Sequence, residues 1–230
     1  MSQDQASSQS SVDRLVEVIA LLREHCPWMG ALTHESLAEY LVEESYELLE
    51  ALETGDSGEI QGELGDVLLQ VVLHARLAEE EGGFNFAGVA RSISDKMIRR
   101  NPHVFRPDGS LRESFPATVE QIEATWHQVK KQEQPAGHAF TGIPAALPAL
   151  ALAQKSLDRA SRAGLALDTV GPAGLTGAPR TEEDLGELLL AVVRSARANG
   201  LDAERALRAA VRRFQDRTAS DGQAQSESSL

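Results

Sequence analysis

The sequence predicts an all-α protein, and three observations carry that prediction. Aromatic residues make up only 4% of the 230 residues while Ala, Leu, Glu and Arg are abundant, a balance that suits helices better than sheets. Apolar residues recur at helical spacing in segment after segment. Capping residues precede these segments, and Gly or Pro follows them.

In order along the chain, residues 1 to 11 are Ser- and Gln-rich without periodic apolar positions and read as a disordered tail, as do residues 218 to 230. Leu15, Ile19 and Leu22 mark a first helix over Val12 to His25. Pro27 and Gly30 break it, and Thr33 caps the next. Trp28 sits in the break; a loop tryptophan is more often a packing anchor than a ligand contact, but this one immediately precedes an acidic helix. That second helix stops at Thr54-Gly55. Asp56, with Glu59 three residues on as a capping-box acid, opens a third that runs to Glu81 and stops at Gly82-Gly83. Asn85 caps a fourth helix with Phe86, Val89, Ile93 and Met97 as its buried stripe, and Asn101-Pro102 ends it because the residue before proline leaves helical geometry. A Pro-, Gly- and Ser-rich loop over 102 to 117 leads to a short helix opened by Thr118 and Gln121, in which Trp126 and Lys130 share a face. Residues 134 to 144 read as a linker.

The second and third helices form a hairpin with acids at matched heights. Glu44 and Glu47 are three apart, as are Glu63 and Asp66, so each pair occupies one helix face. Glu47 lies seven residues before Thr54 and Glu63 seven after Asp56, placing both about 10 Å from the turn at ~1.5 Å per residue. If the faces meet, four carboxylates converge and need a counter-ion. Oxygen donors alone suit a hard divalent cation, Mg²⁺ or Mn²⁺, better than zinc. A solvated acidic face is the plainer reading, but Leu48, Leu49, Leu52, Leu64, Val67, Leu68, Val71 and Val72 surround the acids with core-forming residues. Near the end of the fourth helix, Lys96, Arg99 and Arg100 at i, i+3 and i+4 can partner the helix dipole or neutralise a polyphosphate.

The net charge of -13 disfavours DNA, RNA or an anionic membrane as partner. The single cysteine, Cys26, excludes an intrachain disulfide, and the chain shows neither a leader nor an apolar run of the roughly 20 residues that span a bilayer. A soluble cytoplasmic protein is expected.

The second half repeats the first. Leu185 to Arg197 matches Leu64 to Arg76 at eight of thirteen positions with a constant offset of 121, the mark of an internal duplication. Asp184 and Glu187 stand at the places of Glu63 and Asp66, but Leu165 stands at that of Glu44, in a stretch broken by Gly and Pro. The second copy keeps a packing helix and loses half of the acid cluster.

These residues resemble the MazG family of nucleoside triphosphate pyrophosphohydrolases, whose EExxE and ExxD motifs fall here on Glu43, Glu44, Glu47, Glu63 and Asp66. The likeness extends through CPW at Cys26, THESL, GELGD, SDKMIRRNPHVF and the Trp126, Lys130, Glu133 pattern, and covers roughly residues 12 to 216. It implies MazG-like helical bundles, tandem duplicated: a catalytic domain over 12–133 and a degenerate helical domain over 145–217. It also implies a homodimer and Mg²⁺-dependent hydrolysis of (d)NTPs to (d)NMP and pyrophosphate, a nucleotide-pool house-cleaning activity of broad specificity. CPWMGALT departs from the family's frequent CPWDxxQT in its polar positions.

On this reading Glu44, Glu47, Glu63 and Asp66 hold the metal, while Glu43, about 100° round the helix from Glu44, is an outer partner or base. Lys96, Arg99, Arg100 and Lys130 clamp phosphates, and Trp28 or Trp126 stacks on the base. Two rivals are a ferritin-like di-iron bundle, which wants Glu-x-x-His pairs that neither Glu44 nor Glu63 offers, and a non-catalytic helical adaptor.

Overall fold

Each helix boundary that positions the acids has a local cause. In the computed structural model, α1 spans Ser2–His25, α2 Pro27–Gly30, α3 Leu37–Thr54, α4 Ser57–Glu80, α5 Phe86–Arg100 and α6 Val119–Glu133. Three more helices follow: α7 Ala149–Arg162, α8 Glu182–Ala198 and α9 Ala203–Glu227. The structure describes residues 2–115, 118–133, 139–165 and 178–227, and side chains within these except at 2–10, 127–128, 130–133, 216 and 218–227. Among the described residues there is no strand, only one bridge between Phe105 and Leu111, so the fold is all-α as expected.

The α3–α4 turn follows its sequence signals. Gly55 takes the left-handed conformation (φ 79°) that a side chain resists. Asp56 caps α4 by accepting from the amides of Gly58 and Glu59 at 2.8 and 2.9 Å. Glu59 does not complete the expected capping box; its carboxylate instead accepts from the Thr54 hydroxyl at 3.0 Å, tying the two helix ends together. Thr33 closes the turn that leads into α3, whose N-cap is Ser36: its hydroxyl accepts from Ser36 N–H at 3.1 Å while the Ser36 hydroxyl oxygen accepts from Thr33 N–H at 2.9 Å. Asn85 caps α5 by accepting from Gly88 N–H at 3.0 Å.

The chain divides into two compact units, Met1–Glu133 and Gln134–Leu230. The first unit's core joins Ile19 of α1, Met29 and Leu32 of the connection, Leu37 of α3 and Val72, Leu73 and Leu77 of α4. Cys26 packs against it as a small apolar side chain. In the second unit Leu157 of α7, Val193 of α8 and Ala203 of α9 form a separate core. Val72 and Val193 are related by the 121-residue offset, and they are 1% and 0% exposed in their respective cores.

Several expectations are corrected. The first helix begins at Ser2, not Val12, since the Ser-, Gln- and Ala-containing stretch has nothing that stops a helix, and α9 continues past 217 to Glu227. Residues 134–138 of the expected linker and 228–230 of the expected tail lie outside the described residues. Pro27 begins a single helical turn instead of leaving a loop, because proline suits a first helical position. In that turn Met29 is the packing anchor and Trp28 is 63% exposed. Of the expected departures at Met29 and Ala31, Met29 enters the core and Ala31 is exposed; the amide position of CPWDxxQT falls instead on Leu32, which is also in the core. Leu49, Leu52 and Leu64 are exposed, as are Ile93 and Met97 at the C-terminal end of the stripe expected on α5. Within one chain these faces of α3, α4 and α5 lack a full cover.

Arg23 of α1 went unnoticed in the sequence. Its guanidinium donates to the carbonyls of Met29 and Leu32 and pairs with Glu80 at 2.6 Å, its own side chain only 8% exposed. Hydrogen bonds from Arg23, then from Arg76, hold the Glu80 carboxyl below its ordinary range despite its burial. One cation thus ties α1, the α2 connection and the end of α4 together. Replacing it should leave two carbonyls unmatched and Glu80 with Arg76 alone: Arg23→Leu is expected to destabilise the first unit by about 2–3 kcal/mol, measured as a fall in the urea midpoint at pH 7.

Candidate metal centre

Glu44 comes from the middle of α3 and Glu63 and Asp66 from the second and third turns of α4. One carboxylate oxygen from each of these three lies within 4.8 Å of the others. Glu47, one turn nearer the hairpin end on α3, lies close enough for its charge to act on both Glu44 and Glu63. Three of the four acids named from spacing thus come together across the helix pair, with Glu47 beside them.

Their electrostatics record the crowding. Burial, followed by the charges of Asp66, Glu47, Glu63 and Glu43, pushes the Glu44 carboxyl above its ordinary value. Burial also leads for Glu63, followed by the charges of Glu47, Asp66 and Glu59. Moreover, Oε2 of Glu63 is sealed from solvent without a hydrogen-bond partner among the described residues. A divalent cation fits this donor set: it would satisfy the orphaned oxygen and relieve the mutual repulsion. Glu43 is exposed beside Glu44, close enough to contribute to that repulsion.

The basic and aromatic candidates are divided. Arg100 lies over the Trp126 ring, 5.4 Å from its centroid, a cation–π contact joining α5 to α6. Arg99 is about 100° round α5 from Arg100. With Asp95 and Ile98 it lines a different place, a hollow of about 460 Å³ closed by Pro102, Phe105 and Arg112. The expected single basic face over Lys96, Arg99 and Arg100 is thus split. Lys96 is half-buried on α5, and the Lys130 side chain lies outside the described residues. The wall of the hollow is a small hairpin in the 102–113 loop. Arg106 N–H donates to the Ser110 carbonyl at 2.8 Å, Arg112 N–H donates to the Val104 carbonyl at 3.0 Å, and Asp108 accepts from the Ser110 amide and hydroxyl.

Sequence reasoning missed the polar stripe below the acids. Gln70 is 3% exposed with an unpartnered Oε1, and His74 sits four residues further on, with its Nδ1 2.7 Å from that of His34. The signal was present as the four-residue spacing Asp66, Gln70, His74 on α4.

A helical hairpin that gathers three carboxylates with a fourth beside them, and basic residues on the next helix, defines an all-α protein with an acid cluster able to hold a hard cation. The comparison with known proteins sharpens this. Residues 32–105, which contain both acid pairs, match the MazG nucleotide pyrophosphohydrolase domain. A nucleoside triphosphate pyrophosphohydrolase of Escherichia coli K12 is 38% identical over 231 residues, covering 90% of this chain and 86% of that one. The Thermotoga maritima protein named nucleoside triphosphate pyrophosphohydrolase/pyrophosphatase MazG is 36% identical, covering 89% and 83%. An uncharacterized 26.1 kDa protein of Streptomyces cacaoi is 41% identical, covering 88% and 78%. The chain belongs to the MazG family.

Because the folded state holds Glu44 and Glu63 above their ordinary pKa, it binds more protons than the unfolded chain as pH rises past about 4.5. Their contribution is fully present below that pH and lost as pH climbs through the raised values. Thermal denaturation in chelator should therefore show this cluster destabilising the protein with rising pH, an effect that Glu63→Gln blunts. A divalent cation should restore the upper arm in the wild type only.

Proposed function

We propose that this protein hydrolyses nucleoside and deoxynucleoside triphosphates to the monophosphate and pyrophosphate, as a broad-specificity guardian of the nucleotide pool. The observation that carries this reading is the convergence of Glu44, Glu63 and Asp66, with Glu47 close enough to act on them by its charge, in a chain of this family. The relatives from Escherichia coli and Thermotoga maritima bear the same activity in their names.

Glu44, Glu47, Glu63 and Asp66 would hold Mg²⁺, or Mn²⁺ in its place. When bound, the ion supplies charge neutralisation for the triphosphate and acidifies water. The remaining work falls to the chain. Glu43, exposed next to the cluster, accepts the proton of the attacking water. Water adds to phosphorus as the bond to the pyrophosphate oxygen breaks, and Lys96, Arg99, Arg100 and Lys130 are the cations available to balance the charge that develops. Arg99 is the weakest member of that group, given its place in the hollow beside α5. Trp28 offers an exposed ring face to a base, and stacking is tolerant of base identity. Trp126 already carries Arg100 on its ring.

The active form is a homodimer on this reading. Val42, Tyr46 and Leu49 recur at helical spacing on α3, and Ile93 and Met97 on α5, all exposed in the single chain. The second unit is a degenerate copy: the Asp184 carboxylate accepts from Arg180 N–H at 3.4 Å at the start of α8, and Leu165, in the place of Glu44, is exposed. Residues 166–177 lie outside the described residues.

Glu47→Ala and Asp66→Ala should each lower Mg²⁺-dependent pyrophosphate release by about a hundredfold or more, assayed over ordinary and oxidised triphosphates. Full activity in both variants sinks the site. For the dimer, Leu49→Asp is expected to shift the sedimentation coefficient to that of a monomer at micromolar concentration.

A further inference from the structure

The α3–α4 hairpin is fastened at one end by the Gly55–Asp56 turn and loaded in its middle by acids that repel one another. At its other end, before α3 begins and late in α4, His34 and His74 face each other. Their Nδ1 atoms are 2.7 Å apart, the ring planes differ by 5° and the centroids are 5.0 Å apart. That centroid distance is close to the largest a 2.7 Å nitrogen contact allows, so the rings lie head to head in one plane, not one above the other. The contact is an N–H donated by one imidazole to the lone pair of the other. At least one ring must be neutral to accept.

The stripe between this contact and the acids is continuous. Asp66, Gln70 and His74 follow at four-residue intervals on α4, which places His74 about 12 Å along the helix from Asp66. Gln70 is 3% exposed in between. The internal repeat supplies a comparison. In α8 the positions equivalent to Gln70 and His74 are Ala191 and Ser195, while Val193 keeps the packing role of Val72. The copy that lost the α3 acids has also lost the amide and the imidazole, so these residues accompany the complete acid set and not the helix packing.

We propose that His34 and His74 are positioning residues for the metal centre: their single Nδ1–Nδ1 hydrogen bond closes the open end of the α3–α4 hairpin against carboxylate repulsion. It thereby fixes the separation at which Glu44 and Glu47 meet Glu63 and Asp66. The inference rests on the reading of the acids as a cation site. Burial, then the neighbouring His34, holds His74 below its ordinary pKa and so keeps it able to serve in the bond.

The test uses the full chain with His34→Phe, His34→Asn, His74→Phe and the double Phe variant. His34 is exposed, so its variants fold even if His74→Phe does not. Phenylalanine keeps a ring and removes the bond, whereas the Asn amide stands near the place of Nδ1 and can donate or accept. Mn²⁺ affinity, measured by titration without nucleotide, should fall by about tenfold in His34→Phe, return in His34→Asn and fall no further in the double variant, because both changes break one bond. In wild-type protein, nitrogen NMR should show coupling across the Nδ1–Nδ1 bond. Unchanged Mn²⁺ affinity in His34→Phe, or equal losses in the Phe and Asn variants, overturns the proposal. Should wild-type protein bind Mn²⁺ with this dependence yet release no pyrophosphate, the clamp stands and the hydrolase reading falls.

Discussion

Like charges facing one another across a helix pair are the constraint to which the rest of the first unit answers. Glu44, Glu47, Glu63 and Asp66 sit where two antiparallel helices are closest in sequence, and burial raises the cost of every charge there. The hairpin survives because each level supplies a fastening. A left-handed glycine and an aspartate cap hold the turn, Thr54 bonds to Glu59 across it, and apolar side chains of α3 and α4 enter the same core as α1. A divalent cation bound among these acids would relieve that repulsion.

Much of this was legible from residue order, because the signals are local. Thr54-Gly55-Asp56 defines a turn on its own, and three-residue spacing fixes which acids share a face, so the cluster followed from helix geometry alone. What was not legible depends on contacts between distant segments. The sequence does not show that Met29, and not its neighbour Trp28, turns inward, since a one-turn helix has no period to read. Nor does it distinguish an apolar residue packed within the chain from one left open: Leu49, Leu52 and Leu64 read as core and are exposed. The His34–His74 pair joins residues 40 apart, and Arg23 reaches Glu80 across 57, so neither falls within any motif.

The basic residues show how a short run can be divided by rotation. Arg99 and Arg100 are adjacent, yet one joins the wall of the 102–113 hairpin and the other covers Trp126. That hairpin is held to α5 closely enough that a Cβ at Gly109, whose φ is 83°, would meet the Ile98 Cδ1 at 3.3 Å. The loop is therefore a fixed part of the first unit, and the motif around Asn101 to Phe105 builds structure beside the helix that carries the cations.

The two tryptophans occupy contrasting surroundings, Trp28 largely in water and Trp126 half-covered with a guanidinium over its ring. Indole emission shifts with polarity and is quenched by nearby groups, so the chain carries a pair of native fluorophores of different colour. One stands on the turn that follows α1 and the other on α6. Removing either by conservative replacement leaves a single-colour reporter, through which the arrival of a nucleotide can be timed in a stopped-flow instrument without a label.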